Sequence, residues 1–404
     1  MSAVLGRPSV RAHGLAVGAL RVGQWLLLCV LPLAIVGTTL VASFHTGTGA
    51  WALDFNGNFV IPARDILHGV SPYHPAYLER VRDAVAAGHQ PDEFSRGVFA
   101  TSPAPALLIG VPFTYLPAAV AEWLWVGLSI ASAALAFRLV GVRDWRVYGA
   151  ALLAPAVGTS LSYGTVQCFL MLGLAATWRW RDHAWRGGRA LGALIAIKLI
   201  FVPLIAWLLL TRRWACAGVA AASSAALCLT SWAAIGFDGF TDYPHVLSLL
   251  TQIEKTQGFS SGSYVLSLGL GDGIAKAMPY ALGCCVIGLL WLAIRRGGEH
   301  ADAYGFLLAT LSVIAFSPIV WLHYLALLLV PVAVLRPRLS IAWFVPCVMW
   351  VMPFAAFTPA NTVHRTVFLV ALLGTVIFAI GPRAVAALLS GRSRVEAGTL
   401  PSWR

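Results

Sequence analysis

The chain has 404 residues, of which 59% are hydrophobic and only 11% charged, and its mean hydropathy is +0.79. Soluble domains carry roughly 25% charged residues, so a soluble enzyme is excluded and an all-α, polytopic transmembrane bundle is expected. The formal net charge of +12 would suit a nucleic-acid binder, but the arginines sit in short connections between apolar runs, which is the positive-inside pattern and leaves no nucleic-acid patch.

Residues 1–21 read as a cytoplasmic tail carrying Arg7, Arg11 and Arg21. The first apolar run, Trp25–Ser43, is followed by no small-residue cleavage pattern, so a retained span is expected rather than a cleaved signal. Asp54, just beyond it, is the first acidic side chain of the chain, and the stretch to Ser102 is the one long segment that is not hydrophobic. Further candidate spans follow at Glu122–Val140, Val147–Tyr163, Val166–Trp178, Leu191–Leu210, Ala215–Phe237, Leu282–Ile294, Tyr304–Phe316, Ile319–Leu335, Leu339–Phe357 and Val367–Leu389. Crossing the hydrocarbon takes about 20 helical residues, so the shorter members must be broken, tilted or surrounded by protein.

Arginines at 143 and 146, 179 to 189, 212 and 213, 295 and 296, 336 and 338, and 392 and 394 mark one side of the membrane. Threading the chain through them places both termini in the cytoplasm and gives about twelve crossings. Three hairpins are then expected to turn on the outer side, near Gly164 to Gln167, Lys198 to Pro203, and Ser317 with Pro318. Residues 103–117, interrupted by Pro112, are left as a short outer or re-entrant helix. The chain divides into the N-terminal tail, one membrane domain over 22–389 with outer loops at about 45–102 and 238–264, and a cytoplasmic tail over 390–404. No repeat of 20 to 50 residues is visible.

The seven cysteines lie within or beside apolar runs, where a thiol behaves as a small hydrophobe, without metal-ligand spacing. Among the acidic residues there is no Asp-x-Asp pair of the kind that holds a divalent ion against a nucleotide sugar, so neither metal nor cofactor is expected.

The topology gathers a set of polar residues on the outer side. Asp54 suits a site carboxylate, and equally an N-cap of a following helix. Lys198, embedded in LGALIAIKLIFVPLIAWLLL, has no charged neighbour within eight residues; a lysine so placed costs about 2.5 to 3.5 kcal/mol on insertion scales unless it snorkels or meets an anion. His323, in SPIVWLHYLALLL, fits a site residue or an interface histidine. Glu254 and Lys255 are adjacent charges in the outer loop 238–264, a pattern typical of a solvated face. The sixteen tryptophans read as interface anchors.

Several stretches resemble glycosyltransferase family 87 in the same order along the chain. Residues 54–75 (DFNGNFVIPARDILHGVSPYHP) are similar to its opening signature of an aspartate, a small-residue helix, a Gly and a Pro-Tyr pair. Residues 103–117 (PAPALLIGVPFTYLP) resemble its proline-punctuated helix, 164–167 (GTVQ) its Gly-Gln-x-Asn turn, 190–214 the span with the embedded lysine, and 316–331 (FSPIVWLHYLALLLVP) its late Ser-Pro segment with a histidine. Thr165 and Gln167 stand where Gln and Asn are usual, Ser102 replaces a common Tyr, and 262–265 (GSYV) replaces an Asn-Gln-Ser-like motif. These departures bear on acceptor recognition more than on fold.

The resemblance implies a class C glycosyltransferase. Such an enzyme takes a sugar, typically mannose and in some members arabinofuranose, from a polyprenyl-phosphate donor to a glycolipid or lipoglycan acceptor at the outer face of the plasma membrane. Asp54 is the candidate general base, and Lys198 with His323 the candidate partners of the departing phosphate, replacing a general acid by electrostatic stabilisation. Arg64, Tyr73, Gln167 and Glu254 are candidate donor or acceptor contacts. A lone base with an aligned donor suggests direct displacement with inversion. A secondary transporter or lipid flippase would share the broken helices and buried lysine but should show two matching halves, which the sequence lacks. A noncatalytic scaffold would not need a lysine isolated in hydrocarbon.

Overall fold

The computed structural model describes residues 10–46, 51–73, 76, 79, 83, 100–255, 257–296, 298–352 and 360–390. Among them there are helices and turns and no strand. Five helices are long and apolar enough to cross a membrane, spanning Gly18–His45, Ala118–Leu139, Trp214–Ala234, Asp272–Arg296 and Thr362–Ile380. The pair Pro155–Tyr163 and Gln167–Arg179, bent by 120°, brings the number to six if it counts as one span. Among the described residues the other expected crossings coincide with no helix of spanning length; the remaining apolar helices, such as Leu199–Leu210 and Leu322–Leu335, are shorter.

Local chemistry accounts for the breaks. Ala154 is extended, Pro155 starts the next helix, and Gly164 at φ +67° ends it in the left-handed conformation that a helix C-terminus favours. The helix Ala184–Ile197 stops at Lys198, which is extended at φ −144° and ψ 111°, and resumes as Pro203–Leu210. The helix Ala301–Phe316 stops at extended Ser317, and the chain re-enters helix at Leu322. All three breaks fall where the sequence placed outer turns.

Other boundaries differ from expectation. Leu282–Ile294 is the inner part of a longer helix, Asp272–Arg296, which accommodates Pro279. Val367–Leu389 is divided, because Gly381 at φ +99° precedes Pro382 and ends the helix Thr362–Ile380. The expected span Leu339–Phe357 is instead two short 3-10 segments, Ile341–Trp343 and Val345–Val351. Pro346 removes a backbone donor there, and residues 353–359 lie outside the described set. Residues 104–115 form one α turn and a 3-10 segment containing Pro112.

Packing follows small residues. Gly188 and Gly192 let the helix Ala184–Ile197 approach Trp214–Ala234 so closely that a Cβ at Gly192 would lie 2.0 Å from Ser223 Oγ. The core lies along Ala301–Phe316 and Leu325–Leu335, whose residues 304–315 and 325–333 are all buried. Exposed Trp25, Leu229, Trp291 and Leu373 cover the outside of the bundle.

Three helices connect two polar clusters. Near one end, Asp302 accepts both Nη groups of Arg213 at 2.7 and 2.8 Å, Arg181 Nε at 2.7 Å and the Trp207 indole N–H at 3.0 Å. Arg213 also donates to Asp182 at 2.8 Å, and the Arg181 guanidinium lies 3.9 Å from the Trp178 ring centroid. The helices Gln167–Arg179, Ala184–Ile197 and Ala301–Phe316 lead from this cluster to the breaks at Gln167, Lys198 and Ser317, roughly 20 Å away at 1.5 Å per residue.

Candidate active site

The segment that carries Asp54 is held from four sides. Ala52, at φ +49°, donates its backbone N–H to Ser162 O at 2.8 Å. Glu122 accepts the Trp51 indole N–H at 2.7 Å and the Asn56 amide at 2.8 Å, so it grips the chain on both sides of Asp54. Phe55 is fully buried, with its ring 4.7 Å from that of Trp125, and Trp125 donates to Gly164 O at 2.8 Å. Gly164 has no Cβ to obstruct this docking; one would lie 2.7 Å from Phe55 Cβ.

A cavity of about 330 Å³ opens where this segment meets the helix breaks. Asp54, Gln167, Lys198, Glu254 and His323, all candidates from the sequence, line it together. Asp54 Oδ1 faces the Asn58 amide at 3.5 Å, the long limit of a hydrogen bond. Asn58 is oriented by Thr101, whose hydroxyl and N–H donate to its Oδ1 at 2.5 and 3.3 Å. Burial pushes the Asp54 carboxyl up to about 6, against the pull of the Lys198 ammonium.

Lys198 projects from the helix break, and its Nζ donates to the Tyr324 hydroxyl at 3.1 Å. It is not in salt-bridge contact with Asp54, so the cavity separates the two charges. His323 is 7% exposed, one residue from Tyr324. The wall also includes Leu199, which is 48% exposed.

Glu254 corrects the reading of a solvated pair. It is 6% exposed, and burial together with the Asp54 charge pushes its carboxyl up to about 8. Lys255 turns away, toward Asp272 at 3.6 Å. Gln167 is fully buried, and neither of its side-chain polar atoms has a hydrogen-bond partner.

Two other candidates do not line the cavity. Arg64 is exposed on the helix Ile61–Leu67. Tyr73 is buried against Trp232, with ring centroids 5.1 Å apart, and its hydroxyl donates to Ser102 O at 2.9 Å. Its ring joins residues 100–107 and the helix Tyr243–Glu254 in a small apolar cluster beside the site. Sequence reasoning had not nominated Asn58, Glu122, Tyr243 or Tyr324 as site residues. Asn58 sits four residues beyond Asp54 on one helical face, a signal that was present; the role of Tyr324 depends on a contact 126 residues away in sequence. Among the described residues no group of three or more His, Cys, Asp or Glu side chains is clustered to hold a metal ion.

No curated protein and no solved structure matches the chain. The model of glycosyltransferase family 87 matches residues 101–322, just over half its length. The matched stretch supplies Gln167, Lys198 and Glu254 to the cavity, whereas Asp54 precedes it and His323 follows directly. With a helical membrane bundle built around that cavity, the chain belongs to glycosyltransferase family 87 and is a membrane-embedded glycosyltransferase.

Proposed function

We propose that the protein transfers a sugar, mannose in the first instance, from a polyprenyl-phosphate donor to a glycolipid or lipoglycan acceptor. The reaction takes place at the outer face of the plasma membrane, with both termini cytoplasmic. One observation carries the reading: a half-buried carboxylate, Asp54, and a half-buried ammonium, Lys198, line one cavity without being paired to each other. Either group alone would be costly in such a place. Together they fit a reaction that consumes a proton acceptor on one side and releases an anion on the other.

The acceptor hydroxyl oxygen attacks the anomeric carbon, and its proton passes to Asp54. The new carbon–oxygen bond forms as the bond to the phosphate oxygen breaks, and the electron pair leaves with the phosphate. Lys198, oriented by Tyr324, meets that charge, with His323 beside it, so no proton donor is required for departure. Attack opposite the leaving group inverts the anomeric centre. An elevated carboxylate near 6 suits a base at neutral pH, because it remains ionised yet takes a proton more readily than an ordinary aspartate. The partly exposed Leu199 on the wall gives the donor's prenyl chain a route to the lipid.

Membranes containing the protein, supplied with radiolabelled polyprenyl-phosphate mannose and a crude envelope lipid acceptor, should form a labelled glycolipid. Asp54→Asn should lower transfer by about a hundredfold to ten-thousandfold. Lys198→Ala should weaken donor use while leaving membrane insertion intact. Transfer unchanged in Asp54→Asn removes the base. Transfer from the arabinofuranose donor alone would change the sugar, and transfer from no polyprenyl-phosphate sugar would favour a transporter.

A further inference from the structure

We propose that Gln167 and Glu254 form a hydroxyl-reading subsite that accepts an uncharged, polyhydroxylated sugar ring and rejects a sugar bearing a carboxylate. The proposal rests on the transferase reading for its choice of ligand, but its evidence is separate: buried polar atoms, on residues of the cavity wall, that the fold leaves unmatched. Gln167 Oε1, Gln167 Nε2 and Glu254 Oε2 are all buried and without a hydrogen-bond partner. Native interiors keep few such atoms, because each loses its hydration and gains nothing in return. Three on two side chains of one cavity mark the place of something that hydrogen-bonds.

The backbone at both residues is anchored. Gln167 is the first residue of the helix Gln167–Arg179, directly after the Gly164 turn, and its N–H faces Thr165 Oγ1 at 3.4 Å. Glu254 closes the helix Tyr243–Glu254, and its carbonyl accepts from Gln257 and Gly258 at 3.0 and 2.8 Å. The next residue, Phe259, donates to Val320 O at 2.7 Å, which ties Glu254 to the broken segment carrying His323. The two are thus presented by separate rigid elements to a common space.

Their chemistry specifies the ligand class. The amide offers one acceptor and two donor hydrogens, and Glu254, which burial and Asp54 keep protonated at neutral pH, offers one O–H and one acceptor oxygen. Sugar hydroxyls donate and accept at once, and hydroxyls on one ring match such an alternating set. A uronate would add a negative charge beside Asp54 and Glu254 and receive only part of that set.

The test uses the full chain in lipid nanodiscs and reads binding apart from turnover. Tryptophan fluorescence, with Trp321 on the cavity wall, follows titration with polyprenyl-phosphate mannose, its four monodeoxy analogues and the corresponding mannuronate. Transfer is measured in parallel. Wild type should bind at least one deoxy analogue about ten- to a hundredfold more weakly than the parent sugar. In Gln167→Leu that ratio should collapse toward one for one ring position, and in Glu254→Gln for a different position or not at all, because Gln restores a donor. The mannuronate should bind most weakly. Equal binding of all deoxy analogues by wild type, or ratios unchanged in both variants, overturns the subsite, as does a failure of wild type to bind any of the probes. Binding that obeys these ratios without any transfer would leave the subsite standing and remove the transferase reading instead.

Discussion

Gly164→Ala tests whether the turn after the helix Pro155–Tyr163 holds the Asp54 segment in place. At φ +67° an alanine pays about 1 to 2 kcal/mol for the left-handed conformation. Its Cβ would sit 2.7 Å from Phe55 Cβ and 3.3 Å from Ala52 Cα, whereas carbon atoms at contact are about 3.5 to 4.0 Å apart. Phe55 must therefore retreat by about 1 Å, and it is packed against Trp125 with no free space behind it; such overpacking costs about 1 to 3 kcal/mol. The sum is about 2 to 5 kcal/mol of stability, and because Phe55 adjoins Asp54, the carboxylate shifts with it. A misplacement of that size lowers a rate by about a hundredfold. Thermal denaturation in detergent, followed by tryptophan fluorescence, and transfer per folded molecule should both fall. Gly374→Ala, which meets only Val345 Cγ1 at 2.9 Å and lies off the cavity wall, should lose some stability and keep its rate. A Gly164→Ala protein that melts and turns over like wild type would refute the docking role of this contact.

The other expectations concern charge. Transfer should rise with pH through about 6, because the active form of Asp54 is the carboxylate and its folded value lies above the ordinary 3.8; at pH 5 about a tenth of the rate should remain. Lys198 lowers that value, while Glu254 and Tyr163 also bear on Asp54, so Lys198→Ala should move the acidic limb of the profile to higher pH. Glu254 loses its proton near 8, and the resulting fall in rate above that pH should be absent in Glu254→Gln. Asp302→Asn leaves Arg213 and Arg181 half-buried without their carboxylate and should cost about 3 to 5 kcal/mol; the denaturation midpoint should drop while donor KM is preserved. Glu122→Ala frees the Trp51 indole and the Asn56 amide, and kcat should fall with little change in donor KM.

The sequence disclosed most about features written locally. Glycine at 164, proline at 203 and 318, and a lysine at 198 interrupt apolar runs, and each such interruption opens the backbone wherever it falls. The breaks were therefore legible, and the residues beside them gave most of the cavity. Leu339–Phe357 misled because hydropathy measures composition and carries no register: its apolar residues suit short 3-10 turns around Pro346 as well as a span. Glu254 looked solvated because its neighbours in sequence are polar, whereas it is 6% exposed and the chain just after it is tied to Val320 by Phe259, across 61 positions. Tyr73 has the composition of a sugar platform, yet Trp232 had already taken its ring face, which no local pattern records.

The assembly of the cavity also explains why two kinds of damage should be separable in this protein. The stretch that matches the family, residues 101–322, contains the three helices that lead from the Asp302 cluster to the breaks, so Lys198, Gln167 and Ser317 are positioned by rods clamped at their far ends. Asp54 lies outside that stretch and reaches the cavity only by docking onto it, through Ala52 to Ser162, Trp51 and Asn56 to Glu122, and Phe55 against Gly164 and Trp125. Loosening the clamp lowers the stability of the whole bundle, while molecules that stay folded keep the rods in place. Removing a polar contact of the dock leaves the bundle folded and the donor's phosphate partner in place and withdraws only the carboxylate, whereas Gly164→Ala also strains a turn of the bundle itself. Glu122→Ala and Asp302→Asn therefore differ in kind: the first should give a stable, donor-binding, slow protein, and the second an unstable one whose folded fraction works normally. If both substitutions lowered stability and rate in the same proportion, the Asp54 segment would be part of the bundle's core and the division between dock and clamp would fail.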